Sequence, residues 1–129
     1  VVQQFWTDVL WNCDYLFVDM PPGTGDVSLS VFQSIPLDGI LIVASPQELV
    51  SMVVEKAVKM AEMMEVPILG LVENMSYVDK TVQAAARHNV PLLAEMPIDP
   101  ALASLTDEGN IESFQGTWLD GVADRLEGK

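Results

Sequence analysis

Asp19 and Asp26 bracket a Pro21-Pro22-Gly23-Thr24-Gly25 run, and Tyr15-Leu16-Phe17-Val18 leads into it. Four residues with β-forming side chains that meet an acidic residue and a Pro-Pro-Gly turn predict a strand over 15–19 ending in a loop. Open α/β sheets place their ligands at the carboxyl ends of such strands. A carboxylate there can orient a water or hold Mg²⁺ through water, and the glycines let the backbone pass close to phosphate. The same residues also make an ordinary turn with two solvated carboxylates, and spacing alone leaves both readings open. Asn74 follows the apolar run Ile68-Leu69-Gly70-Leu71-Val72 and Glu73. An amide at a strand end can read a purine edge with one donor and one acceptor, although a turn-capping asparagine is the plainer use. His88 has no Cys or His at ligand spacing and Cys13 is a lone thiol, so neither predicts a metal centre.

The elements that must position these groups alternate between helix and strand. Val2, Phe5, Trp6, Val9 and Leu10 recur at helical spacing, which predicts a helix over 1–11. The stretch 27–35 fits either periodicity. A helix is the better expectation, because Ile40-Leu41-Ile42-Val43-Ala44 is a continuous apolar strand and a parallel neighbour requires a crossover. Ser45, Pro46 and Glu48 have the types and spacing of a helix cap, and the helix they open should run to about Met64, with a Glu55–Lys59 pair on its outer face. A third strand over 68–72, an alanine-rich helix over 82–88 and a fourth strand over 91–95 follow. A short helix over 101–105, a polar loop over 106–110 and a terminal helix within 111–126 complete the expectation.

Composition bounds the partners. Six Lys or Arg against 19 Asp or Glu give a formal charge of −13, which repels a phosphate backbone and argues against nucleic acid as the main ligand. None of the six cations lies in a glycine-rich loop, so a triphosphate would find little cationic help here. Half of the 129 residues are hydrophobic and the mean hydropathy is +0.28, enough for a core with apolar surface left over. No apolar run reaches the roughly 18 residues of a membrane span, and the first residues lack the pattern of a signal peptide, so no membrane partner is expected. A single cysteine excludes an internal disulfide and fits a reducing, cytoplasmic compartment.

The segment Asp19 to Asp26, DMPPGTGD, resembles the Walker B and switch II segment of the Mrp/ApbC family, iron–sulfur cluster carrier ATPases related to MinD. Pro36-Leu37-Asp38-Gly39, Ser45-Pro46-Gln47, Val72-Glu73-Asn74-Met75-Ser76-Tyr77 and the run from Pro91 to Pro100 match the family in the same order. The resemblance covers nearly the whole chain from Phe5 to about Gly109. It implies an α/β P-loop NTPase fold of the MinD-like kind, with a mainly parallel sheet and helices on both faces. Residues 1–129 would be the C-terminal part of the ATPase domain, with the phosphate loop and switch I lying before Val1.

By the same resemblance Asp19 positions Mg²⁺ through water or orients the attacking water, and Gly23 to Gly25 senses the γ-phosphate. Asn74 contacts adenine, and Pro97 and Asp99 line its pocket. The complete protein would bind ATP and Mg²⁺ and, as a homodimer, carry a [4Fe–4S] cluster to apo iron–sulfur proteins. Relatives continue after Tyr77 with a Cys-x-x-Cys pair, whereas here Val78-Asp79-Lys80-Thr81 leads straight into the next helix. A loop is therefore expected to be missing between 77 and 79, and the iron–sulfur ligands are absent from this sequence. The segment alone is expected to be inactive as an ATPase. Two rivals share these residues: a MinD/ParA-type positioning ATPase without a cluster, and a non-enzymatic scaffold domain.

Overall fold

The computed structural model describes residues 1–21, 25–47, 52–76 and 89–128. Three parallel strands lie in the order β1 (Ile40–Ala44), β2 (Ile68–Ser76) and β3 (Leu92–Pro97). A parallel pair cannot be joined by a tight turn, and the helix α3 (Met52–Met63) lies in the crossover from β1 to β2. The expected helix over 82–88 and the capping role of Glu48 lie outside the described residues.

Successive strand residues point to opposite faces, and both faces are apolar. Ile42 and Ala44 of β1 and Leu71 of β2 pack with Val54 and Val58 of α3 and with Val90. Leu41, Val72, Leu93 and Ala94 pack on the other side with Val122 and Leu126 of the last helix. Helices therefore cover both faces of a parallel sheet, the expected fold class. On its outer side α3 carries the expected exposed ion pair between Lys59 and Glu55.

The helix α2 (Asp26–Ser34) occupies the ambiguous stretch, as expected, and buries Ser28 and Val31. The strand β2 runs four residues past its expected end and so includes Glu73 and Asn74. The helix α4 (Pro100–Asp107) is longer than expected at its carboxyl end. The terminal helix is shorter: Ile111–Ser113 form a 3₁₀ turn and α5 spans only Asp120–Leu126. Between them Phe114 and Trp118 close over Gly116, whose missing side chain leaves them room.

One expectation is overturned. Residues 15–18 form no strand, and Asp19 does not end one. Tyr15, Leu16, Phe17 and Val18 are 39–68% exposed. The helix α1 (Val2–Thr7) also stops before the expected Trp11, where the Thr7 hydroxyl donates back to the Gln3 carbonyl and to Asp8. The physical reason for the lost strand is that β propensity creates none without a ladder partner. Among the described residues β1 pairs with β2 alone, and its other edge receives no strand.

Register slips by one residue where β3 bulges at Leu93, between the pairs Leu71–Leu92 and Val72–Ala94. Gly121 of α5 lies against the Leu93 backbone carbonyl, close enough that a Cβ would collide with it. Gly121→Ala should therefore push α5 off β3 and cost about 1–3 kcal/mol in a denaturant titration. Gly25→Ala is the control, since its Cβ meets nothing within 4 Å and φ is −75°; it should stay within about 0.5 kcal/mol of the parent.

Candidate functional site

Parallel strands deliver their last residues to one edge, and here β2 and β3 deliver Glu73-Asn74-Met75-Ser76 and Glu95-Met96-Pro97. Glu73 pairs with Glu95 and Ser76 with Pro97, so Asn74 and Met75 stand opposite the single residue Met96. Two residues against one is a bulge, which bends the strand and re-aims its side chains. Met75 takes the left-handed conformation at φ 57°, which a residue with a Cβ adopts at a cost of about 1 kcal/mol. Its N–H donates to the Asn74 Oδ1 at 2.9 Å. That bond fixes the amide and leaves its NH₂ group without a hydrogen bond among the described residues.

The other expected base contacts gather on the same side. Pro97 pairs with Ser76, two residues beyond Asn74 on the same strand, and Asp99 follows two residues later. Asp99 also serves the helix that follows it. Its Oδ1 accepts from the Ala101 N–H at 2.9 Å and the Leu102 N–H at 3.4 Å, capping α4, with Pro100 in the first turn. Asp99 is thus a helix cap, a use the sequence reading did not assign to it, with Oδ2 outside those bonds.

Asp19 is placed differently. Its backbone belongs to no helix or strand and its side chain is exposed. The structure does not tie it to the strand edge through a ladder. Gly25 is the residue before α2, in extended backbone, and Asp26 lies in that helix's first turn, where its charge opposes a second anion. Gly23 lies outside the described residues.

Sequence reasoning missed Glu73, which it treated only as the stop of a strand. The side chain is fully buried, and neither carboxylate oxygen has a hydrogen-bond partner among the described residues. Burial pushes its pKa above the usual glutamate range; the nearby Ser76 hydroxyl opposes the shift, and the negative Glu95 adds to it. The available signal was a lone acid inside an apolar strand run that sits centrally in the sheet.

These residues fit some groups and not others. The open amide of Asn74 suits a purine edge, and an exposed carboxylate such as Asp19 suits a water-mediated contact to Mg²⁺. An iron–sulfur cluster does not fit. Cys13 is the chain's single cysteine, and the described residues contain no group of three or more His, Cys, Asp or Glu able to hold a metal. Among the described residues no helix is long and apolar enough to cross a membrane.

A parallel sheet covered on both faces, with polar side chains gathered at its carboxyl edge, defines the class: an α/β domain of the nucleotide-binding type. The family profile of ParA/NUBPL iron-transfer P-loop NTPases matches residues 1–117, and the chain belongs to that family. It is 42% identical over 100 residues to an iron–sulfur cluster carrier protein of Rickettsia conorii, covering 75% of this chain and 31% of the relative. A carrier of the same name from Synechocystis is 36% identical over 151 aligned positions, covering 100% of this chain and 43% of the relative. The chain thus spans less than half the length of these relatives. A solved nucleotide-binding protein from Archaeoglobus fulgidus, in complex with ADP and with cobalt found in it, superposes with a TM-score of 0.81 at 38% identity. That match covers 91% of this chain and 54% of the other.

The buried Glu73 yields a pH prediction. Because its folded pKa is raised, the folded chain holds this proton more tightly than the unfolded one. Its stabilising contribution is complete below the ordinary glutamate range and is lost as pH rises through the folded value. Urea titrations across that range should show Glu73→Gln gaining stability relative to the parent as pH rises; a constant difference between the two would contradict the assignment.

Proposed function

We propose that this chain is the C-terminal part of the ATPase domain of an ATP-dependent iron–sulfur cluster carrier. The observation that carries the reading is the Asn74–Pro97 edge, within a fold that superposes on an ADP complex at TM-score 0.81. Asn74 reads the adenine, with Pro97 beside it and Asp99 holding the start of α4. Asp19 orients the attacking water or a water on Mg²⁺, and Gly23 to Gly25 follows the terminal phosphate. Bound Mg²⁺ would neutralise charge on the phosphates. The chain's own acidity cannot, with 19 carboxylates against six cations.

The cluster is cargo, and its thiolate ligands come from outside these residues. The Synechocystis alignment supports a missing loop: 151 positions against 129 residues leave at least 22 positions (151 − 129) with no counterpart here. The join between 77 and 79 is where the family's cysteine pair belongs. A [4Fe–4S] cluster bridged by a homodimer and passed to apo iron–sulfur proteins in the cytoplasm completes the reading. The single cysteine favours the second reading, a positioning ATPase without a cluster; a Cys-x-x-Cys pair after Tyr77 in the complete protein decides between them.

Two measurements on the complete protein test the proposal. Asp19→Asn keeps the size and removes the charge, so kcat for ATP should fall by about one to three orders of magnitude, roughly 1.4–4 kcal/mol, while nucleotide binding falls less. Unchanged turnover removes Asp19 from the mechanism and leaves Asp26, or a carboxylate outside these residues, as the better candidate. Light scattering on cluster-loaded protein should give twice the subunit mass, and a strict monomer would defeat the bridging arrangement.

A further inference from the structure

Glu73 occupies the last position at which β2 is paired on both sides, opposite Ala44 of β1 and Glu95 of β3. Immediately beyond it the ladder breaks at the Asn74–Met75 bulge and resumes only at Ser76. An acid with no exposure and, among the described residues, no hydrogen-bond partner for either oxygen sits next to the break in the ladder. We propose that Glu73 is a positioning residue for the base-reading amide: its neutral carboxyl keeps the strand closed up to Asn74, and its ionisation opens the Asn74–Ser76 bulge.

A new charge at Glu73 would need somewhere to go. An ionised carboxylate cannot remain unpaired in an apolar interior, so it must find a partner or reach water. The described surroundings offer no cation. β1 brings Ala44 and β3 brings the like-charged Glu95. The end of β2 itself brings the Ser76 hydroxyl. α3 packs Val54 and Val58 against this face, while its charged Glu55, Lys56, Lys59 and Glu62 are exposed. Among the described residues this leaves water as the destination, and the cheapest route breaks a ladder already interrupted and already strained at Met75. Breaking it also releases the Met75 N–H that fixes the Asn74 amide.

The inference rests on the proposed nucleotide reading for its consequence, while the opening itself is measurable without nucleotide. Amide hydrogen exchange of the complete protein, corrected for the intrinsic pH dependence, should show residues 74–76 losing protection by about tenfold as pH rises above the ordinary glutamate range, and Glu73→Gln should abolish that change. Glu95→Gln, an exposed substitution that leaves the core intact, should move the opening to lower pH by removing the charge that disfavours ionisation. ADP affinity should fall in parallel in the parent protein and stay level in Glu73→Gln. Equal pH profiles for parent and Glu73→Gln, or no displacement by Glu95→Gln, would overturn the proposal. Exchange that behaves as described without any ADP binding would sustain the opening and defeat the nucleotide reading instead.

Discussion

The ladder on both sides of β2 is the constraint on which the rest depends. It is the only described strand with two partners, and each of its faces carries one of the two apolar clusters. A strand held this way has little freedom in register, because a one-residue slip would exchange its two buried faces. Of the three register breaks, one skips Leu69 between β1 and β2, and the other two fall at places where something compensates. Leu93 bulges where Gly121 gives it room, and Asn74–Met75 bulge at the end of the strand, where the side chains concerned meet the edge.

Most of the architecture was legible because it depends on local pattern. The continuous apolar run over 40–44 pointed to a strand, although only its Ile42–Ala44 face is buried and Val43 is exposed, and its parallel neighbour required a helical crossover. The short helix expected over 101–105 is present as α4, opened by the Asp99 cap and Pro100 that the sequence reading did not use. What failed was the one element whose existence depends on a distant partner. Tyr15-Leu16-Phe17-Val18 has the composition of a buried strand, yet composition does not supply the neighbour that a ladder needs. The same limit hid Glu73, since a carboxylate at a strand end looks identical in sequence whether it meets water or lies under a helix.

The candidate site was legible in a similarly divided way. Asn74 and Pro97 lie 23 residues apart in sequence (97 − 74) and reach the same sheet edge only through parallel register, with Ser76 opposite Pro97, an arrangement that the alternation of strands implied. Asp99 caps α4 while standing two residues beyond Pro97 at the same strand edge. Asp19 and Gly25 are present as residue types, but no described strand carries Asp19 to the edge where Asn74 stands.

The division between the two halves of the site follows from charge. Reading a base needs directed hydrogen bonds from rigid positions, and a well-packed parallel edge supplies them without any net positive charge. Holding phosphates needs cations or successive backbone N–H groups, and this acidic chain offers neither at the described edge. Lys56 and Lys59 sit on the exposed side of α3 and Arg125 near the end of α5, none of them on the last residues of the strands. On the proposed reading, an edge of this composition would contribute selectivity for the base rather than affinity for the phosphates. That is also why the Glu73 proton matters: with no cation in the described surroundings, a second negative charge at the strand end has nothing to balance it, and the edge stays closed only while the acid stays neutral.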